Sequence, residues 1–182
     1  MKQIMPFIFS LLSLIAFSQN DDEIKTKGLF YKISLAATLT INKEYTLTQD
    51  DDTGPFLIPN AIFINNTLGY QFDERSSIGL NLEYNNYLTQ DLNFFPAYLS
   101  FSYNIFDFDD VFFIRGGYGR LLNINKSFEK GTMYKFGLGY RIFDANFKNS
   151  WLIGLDFSRK RFGFRQTEKL TSVSIFFEFM LF

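Results

Sequence analysis

The chain has 182 residues, enough for one domain, and a formal net charge of −1, which excludes a global basic field for nucleic acid. It contains no Cys and no His, so disulfides and thiolate metal sites are excluded, and the commonest general base and metal ligand are missing. Hydrophobic residues make up 47%, an ordinary figure, but aromatic content is 20%, with 25 Phe and 10 Tyr.

Residues 1–18 read as an export signal. Lys2 supplies a positive start, and Ile4 to Phe17 form an apolar run broken only by Pro6, Ser10 and Ser13. Ala16-Phe17-Ser18 puts small residues where a signal peptidase reads them, so cleavage is expected before Gln19. The run is shorter than the roughly 20 residues of a spanning helix. Residues 19–26 are expected to form a short periplasmic lead, and 27–182 the folded domain.

From residue 29 onward the periodicity is two. Leu29, Tyr31, Ile33, Leu35, Ala37, Leu39 and Ile41 alternate with Lys32, Ser34, Ala36, Thr38, Thr40 and Asn42. A one-faced strand of this length exceeds the usual ~5–6 residues and suits the ~9–11 of a tilted membrane-crossing strand. The pattern recurs. Ile62, Ile64, Leu68, Tyr70 and Phe72 mark a second strand, and Ile78 to Leu88 a third. Ala97 to Ile105 mark a fourth; Phe112, Ile114, Gly116 and Tyr118 a fifth. Tyr134 to Ile142 give a sixth, Trp151 to Phe157 a seventh, and Val173 to Leu181 an eighth. The expected fold is all-β: an eight-stranded antiparallel up-and-down transmembrane β-barrel, an even count as in single-chain bacterial barrels.

The joins alternate in length. Residues 73–76, 107–110 and 144–149 are short, while 43–59, 89–95, 121–131 and 160–169 are longer and more polar. That asymmetry places the short turns in the periplasm and the long loops outside. Each short join follows a Phe-Asp pair, Phe72-Asp73, Phe106-Asp107 and Phe143-Asp144, an aromatic at the membrane boundary and a turn-forming Asp beyond it.

Alternation alone does not say which face is inside. The apolar faces are long and rich in Phe, Tyr and Leu, and the opposite faces are full of Gly, Ser, Ala and Asn. The few charges on the small-residue faces have both signs: Lys32, Glu83, Arg115, Lys135, Arg141, Asp156 and Glu178. So few charges would hydrate a soluble barrel's exterior poorly, whereas inside an eight-stranded barrel they can pair and fill the lumen. Lys32 and Glu178 are expected to pair where the first and last strands meet. Arg115 and Arg141 are expected at comparable depth, with Glu83 and Asp156 nearer mid-height.

The hairpins Gly69-Tyr70-Gln71-Phe72-Asp73 and Gly139-Tyr140-Arg141-Ile142-Phe143-Asp144, together with the signal and the terminal Phe182, carry a resemblance. Over about residues 27–182 the chain resembles the outer-membrane β-barrel domain family, the small porin-like, OmpA/OmpX-type barrels of Gram-negative bacteria. The resemblance implies a bacterial outer-membrane location and recognition of Phe182 by the barrel-assembly machinery, although Phe182 falls out of step with Phe177, Phe179 and Leu181. Barrels of this class that are enzymes generally rely on a catalytic His, so the expectation is a non-enzymatic protein with no cofactor, no metal and no nucleic-acid partner.

Two loop features remain. Asp50, Asp51 and Asp52 precede Gly54-Pro55 without the spacing of a calcium loop and read as a solvated turn. Arg159, Lys160, Arg161, Arg165 and Lys169, with Phe162 and Phe164 between them, could grip lipopolysaccharide phosphates at the outer rim or simply form a solvated tip. Three functional classes follow: a monomeric structural or interaction barrel with a filled lumen, a narrow porin-like channel for small solutes or ions, and a secreted lipocalin-like barrel.

Overall fold

The computed structural model describes residues 27–41, 57–107, 110–125, 127–144 and 149–182. The expected signal 1–18, the lead 19–26 and the Asp50-Asp51-Asp52 turn lie outside them. The strands are β1 (Gly28–Ile41), β2 (Leu57–Gln71), β3 (Ser76–Tyr87), β4 (Leu92–Phe94), β5 (Pro96–Asp107), β6 (Asp110–Leu121), β7 (Gly131–Phe143), β8 (Asn149–Phe162) and β9 (Glu168–Leu181). One 3-10 turn, Phe164–Gln166, joins β8 to β9.

Every stave pairs antiparallel with its sequence neighbour, and β1 also pairs with β9, from Tyr31↔Leu181 to Thr38↔Ser174. The sheet is therefore a closed eight-staved barrel. β4 and β5 form one stave. Asn85↔Phe94 continues the register of Leu82↔Ala97, and the ladder breaks between them, where Pro96 has no N–H to donate.

Closure imposes a stagger. Partners traced from Lys32 run through Thr67, Asn81, Tyr98, Gly119, Met133 and Lys160 to Leu170. The seam instead pairs Lys32 with Met180, ten residues along β9 (180 against 170). A stagger of ten over eight strands tilts them by about 41° and leaves a lumen that side chains can fill.

The sidedness is that expected from the sequence. Leu35, Ile62, Leu80, Leu99, Phe101, Phe136, Ile153 and Phe177 are exposed on the outer face, while Lys32, Glu83, Arg115, Asp156 and Glu178 are buried within. Two local details escape a simple period of two. Asn60 is an extra residue on β2, between Thr38↔Ala61 and Leu39↔Pro59, so Asn60 and Ala61 both face inward. The last loop is also shorter than expected, because β8 runs to Phe162 and β9 begins at Glu168.

At the short-turn end, Asp73 accepts backbone N–H bonds from Arg75 (2.8 Å) and Ser76 (2.6 Å). These bonds hold its carboxyl below the usual aspartate range, so the turn is secured at neutral pH and loosens only as pH falls through that lowered value.

Glycines separate the two faces by the space they guard. A Cβ on inward Gly119 would sit 2.2 Å from the Ala97 carbonyl oxygen and 2.4 Å from Tyr98 Cα, whereas outward Gly116 has nothing within 4 Å. Gly119→Val is expected to destabilise the barrel by about 1–3 kcal/mol through overpacking, and Gly116→Val by less than about 0.5 kcal/mol. Urea unfolding in detergent, followed by heat-modifiable gel migration, distinguishes the two.

Candidate functional site: the filled interior

The inward faces of six strands bring together six charged side chains of alternating sign. Lys32 Nζ on β1 lies 3.6 Å from Glu178 Oε2 on β9. The other oxygen of Glu178 accepts from Arg115 Nη1 on β6 at 2.6 Å. Arg115 also donates two parallel bonds to Asp156 on β8, Nε to Oδ1 at 2.9 Å and Nη2 to Oδ2 at 2.7 Å. Lys135 Nζ on β7 lies 3.3 Å from Asp156 Oδ2 and donates to Glu83 Oε2 on β3. The sequence Lys32–Glu178–Arg115–Asp156–Lys135–Glu83 is thus a neutral chain of three cations and three anions. All six side chains are at most 8% exposed.

The local chemistry explains who sits where. Arg115 makes the forked contact because a planar guanidinium matches a carboxylate bidentately, and it lies over the Phe176 ring, 3.9 Å from the centroid. Glu83 is further satisfied by Asn85 Nδ2 (2.7 Å) and the Tyr98 hydroxyl (3.0 Å). Beside it, Thr67 donates to Asn81 Oδ1 at 2.7 Å and Asn81 Nδ2 donates to Ser100 Oγ at 2.8 Å, tying the adjacent β2, β3 and β5 along the lumen wall. Lys135 stands between Glu83 and Asp156, so the two mid-lumen carboxylates are neutralised by a cation. They do not face each other as an acid–base pair.

Two cations flank the chain. Arg141 donates to Ser150 Oγ (2.9 Å) and Gln71 Oε1 (3.4 Å) and lies over Phe143 at 4.5 Å. It does not share the depth of Arg115. Arg115 is partnered with Gly137 and Arg141 with Val111, four residues further toward the short turns, because Arg141 lies two residues from the short-turn end of β7 and Arg115 five from that of β6. Lys160 corrects another expectation: it does not join the outer rim. Its position on β8 has the parity of Asp156 and Ser158, so it points inward with 0% exposure. Its ammonium donates to the Tyr87 hydroxyl at 2.9 Å and lies 4.7 Å from the Phe63 centroid. Arg159, Arg161, Arg165 and Lys169 are exposed as expected.

The interior is not only small and polar. Above the charge chain, toward the loops, Phe63, Tyr87, Phe94, Phe162, Met133 and Leu121 are buried in one cluster, with Phe94 and Phe162 rings 5.0 Å apart. Tyr87 and Ser172 hydroxyls bond across the lumen at 2.5 Å. Below the chain, Phe30, Phe113, Leu152, Phe176 and Met180 fill the space, leaving a cavity of about 20 Å³ between Lys32, Gln71 and Arg141. A sequence reading that looks for small residues on the inward faces misses these aromatics. Their signal is parity: Phe30, Tyr87, Phe113, Phe162 and Phe176 each stand in phase with a lumen charge of their own strand. Phe182 obeys the same parity. Its ring lies 6.1 Å from Phe30 and 5.8 Å from the Arg141 guanidinium, on the lumen side, which accounts for its being out of step with the outward series.

Glu178 serves two cations at the seam, so Glu178→Gln leaves Lys32 and Arg115 undercompensated in a dry interior. The expected loss is about 3–5 kcal/mol. It is read as an earlier midpoint in thermal conversion to the unfolded gel band, and an unchanged midpoint would show the seam pair to be dispensable.

No family model matches the chain, and no curated protein matches it. Among solved structures it is similar to the N-terminal β-barrel domain of Pseudomonas aeruginosa OprF, with a TM-score of 0.51 at 12% identity. The match covers 86% of this chain and 100% of that one. At this identity the similarity concerns the fold alone, a β-barrel domain.

Proposed function

We propose that the chain is a non-enzymatic outer-membrane barrel whose lumen is sealed and whose outward loops and rim carry its contacts. The observation that supports a sealed lumen most directly is the layered interior, an aromatic plug above a neutral chain of ions. A hydrated ion entering it must displace buried rings at the loop end and then break charge-assisted bonds below them.

The outer face supports the membrane part of this reading. Thirty-two large apolar side chains among the described residues are exposed, and most form a continuous band around the staves. Soluble monomers rarely expose contiguous apolar patches beyond a few hundred Å². Acyl chains relieve that exposure, and closure leaves no unpaired strand edge in the hydrocarbon. The polar Asn66 on this face is hydrogen-bonded, its Oδ1 accepting from the Tyr31 hydroxyl at 2.5 Å. In this reading the N-terminus and short turns are periplasmic. The assembly machinery meets Phe182 before closure folds its ring against Phe30.

Reconstituted wild-type protein is expected to show no resolvable single-channel conductance in planar bilayers, and to fractionate with the outer membrane as a heat-modifiable band. Steady unitary conductance would replace the sealed reading with the channel reading. Recovery in the soluble fraction would replace both with a secreted barrel.

A further inference from the structure

The outer surface carries a depression that the filled lumen does not explain. Gly116 is the one residue of its outward register row, Ile78–Phe101–Gly116–Phe136–Phe157, without a side chain. The neighbouring row, Leu99–Tyr118–Tyr134–Arg159–Thr171, lies one outward position nearer the loops. Between them is a groove of about 620 Å³ with overwhelmingly apolar walls. The stagger of the barrel makes register rows climb from β3 toward β9, so the groove rises from Ile78 near the short turns to Arg159 near the loop rim.

The charged side chains of the two rows at its upper end are positive, with Glu168 beyond them at the top of β9. Arg159 lines the groove, and Arg161, two residues on along the same face of β8, stands one position above it. Arg161 shares a row with Arg120 of β6 and Lys169 of β9. Among the described residues none of these four cations forms an ion pair, whereas every buried carboxylate is matched inside. An apolar slot that ends under unpaired guanidinium groups at the level of the headgroups has the chemistry of a phosphorylated acyl lipid. The chain fills the slot, and the phosphate takes forked bonds from arginine.

The geometry points to a seat for one phosphorylated glycolipid of the outer leaflet on the β5–β8 face. An acyl chain lies over Gly116, and a sugar phosphate is held by Arg159 and Arg161, with Arg120 and Lys169 beside them. This rests on the outer-membrane reading above. It revises the rim cluster expected from sequence: inward-facing Lys160 gives way to Arg120, Arg165 in the turn between β8 and β9 is left out, and the slot that selects an acyl chain is added.

The test uses full-length refolded protein in uncharged detergent, its folded state first confirmed by heat-modifiable migration. Native mass spectrometry then measures retention of bis-phosphorylated lipid A, the same lipid after phosphatase treatment, and phosphatidylethanolamine. Wild type is expected to retain one lipid A about tenfold more tightly than its phosphate-free form, the scale of one lost charge-assisted bond. Gly116→Leu, which fills the slot from a position with free space around it, and Arg159→Gln/Arg161→Gln are each expected to weaken retention by at least about fivefold, with folded migration intact. Equal retention of the three lipids, or undiminished retention by Gly116→Leu, overturns the seat while leaving the membrane barrel standing. Absence of heat-modifiable migration in wild type overturns both.

Discussion

Closure at the β1–β9 seam is the constraint on which the rest depends. Once Tyr31 to Thr38 pair with Ser174 to Leu181, no strand edge remains, and every residue is assigned to the axis or to the outside. The stagger of ten then sets the lumen width, so whatever faces inward must fill it without strain. Bulky inward rings are tolerated at the short-turn end because glycines give way opposite them. Gly139 and Gly154, for example, lie where a Cβ would meet the Phe176 ring.

A narrow closed lumen makes charge arrangement strict. An unpaired ion there is costly, and the six central ions form an alternating chain with no net charge. The two surplus cations, Arg141 and Lys160, are placed at the ends of that chain rather than in it. There they are held by hydroxyl, amide and aromatic groups, which satisfy a cation without adding a counter-charge. The middle of the barrel is ionic and its ends are aromatic, an order that binds strands β1, β3, β6, β7, β8 and β9 through their side chains as well as their backbones. Asn65, Thr67, Asn81 and Ser100 extend the same tie to β2 and β5.

The outer face follows opposite rules. Its rows are large and apolar, and its variation is steric: a missing side chain at Gly116 and a change to cations above Arg159. With the axis sealed as proposed, the barrel has only this face, its rim and its loops through which to act. A groove joined to a cationic rim is therefore where specificity has room to develop.

Periodicity in the sequence determined the strand count, the sidedness of each strand and the identity of the central charges, because a period of two maps directly onto a two-faced sheet. It determined the Lys32–Glu178 encounter as well, since the first and last strands of a closed meander must meet. Depth and phase were decided only by the tertiary structure. The β6–β7 register separates Arg141 from Arg115, the Asn60 bulge shifts the inward phase, and the full length of β8 turns Lys160 into the lumen and leaves Arg159 and Arg161 outside. A single strand's pattern says which residues share a face. Height along the axis belongs to the register between strands, which is set by all eight at once.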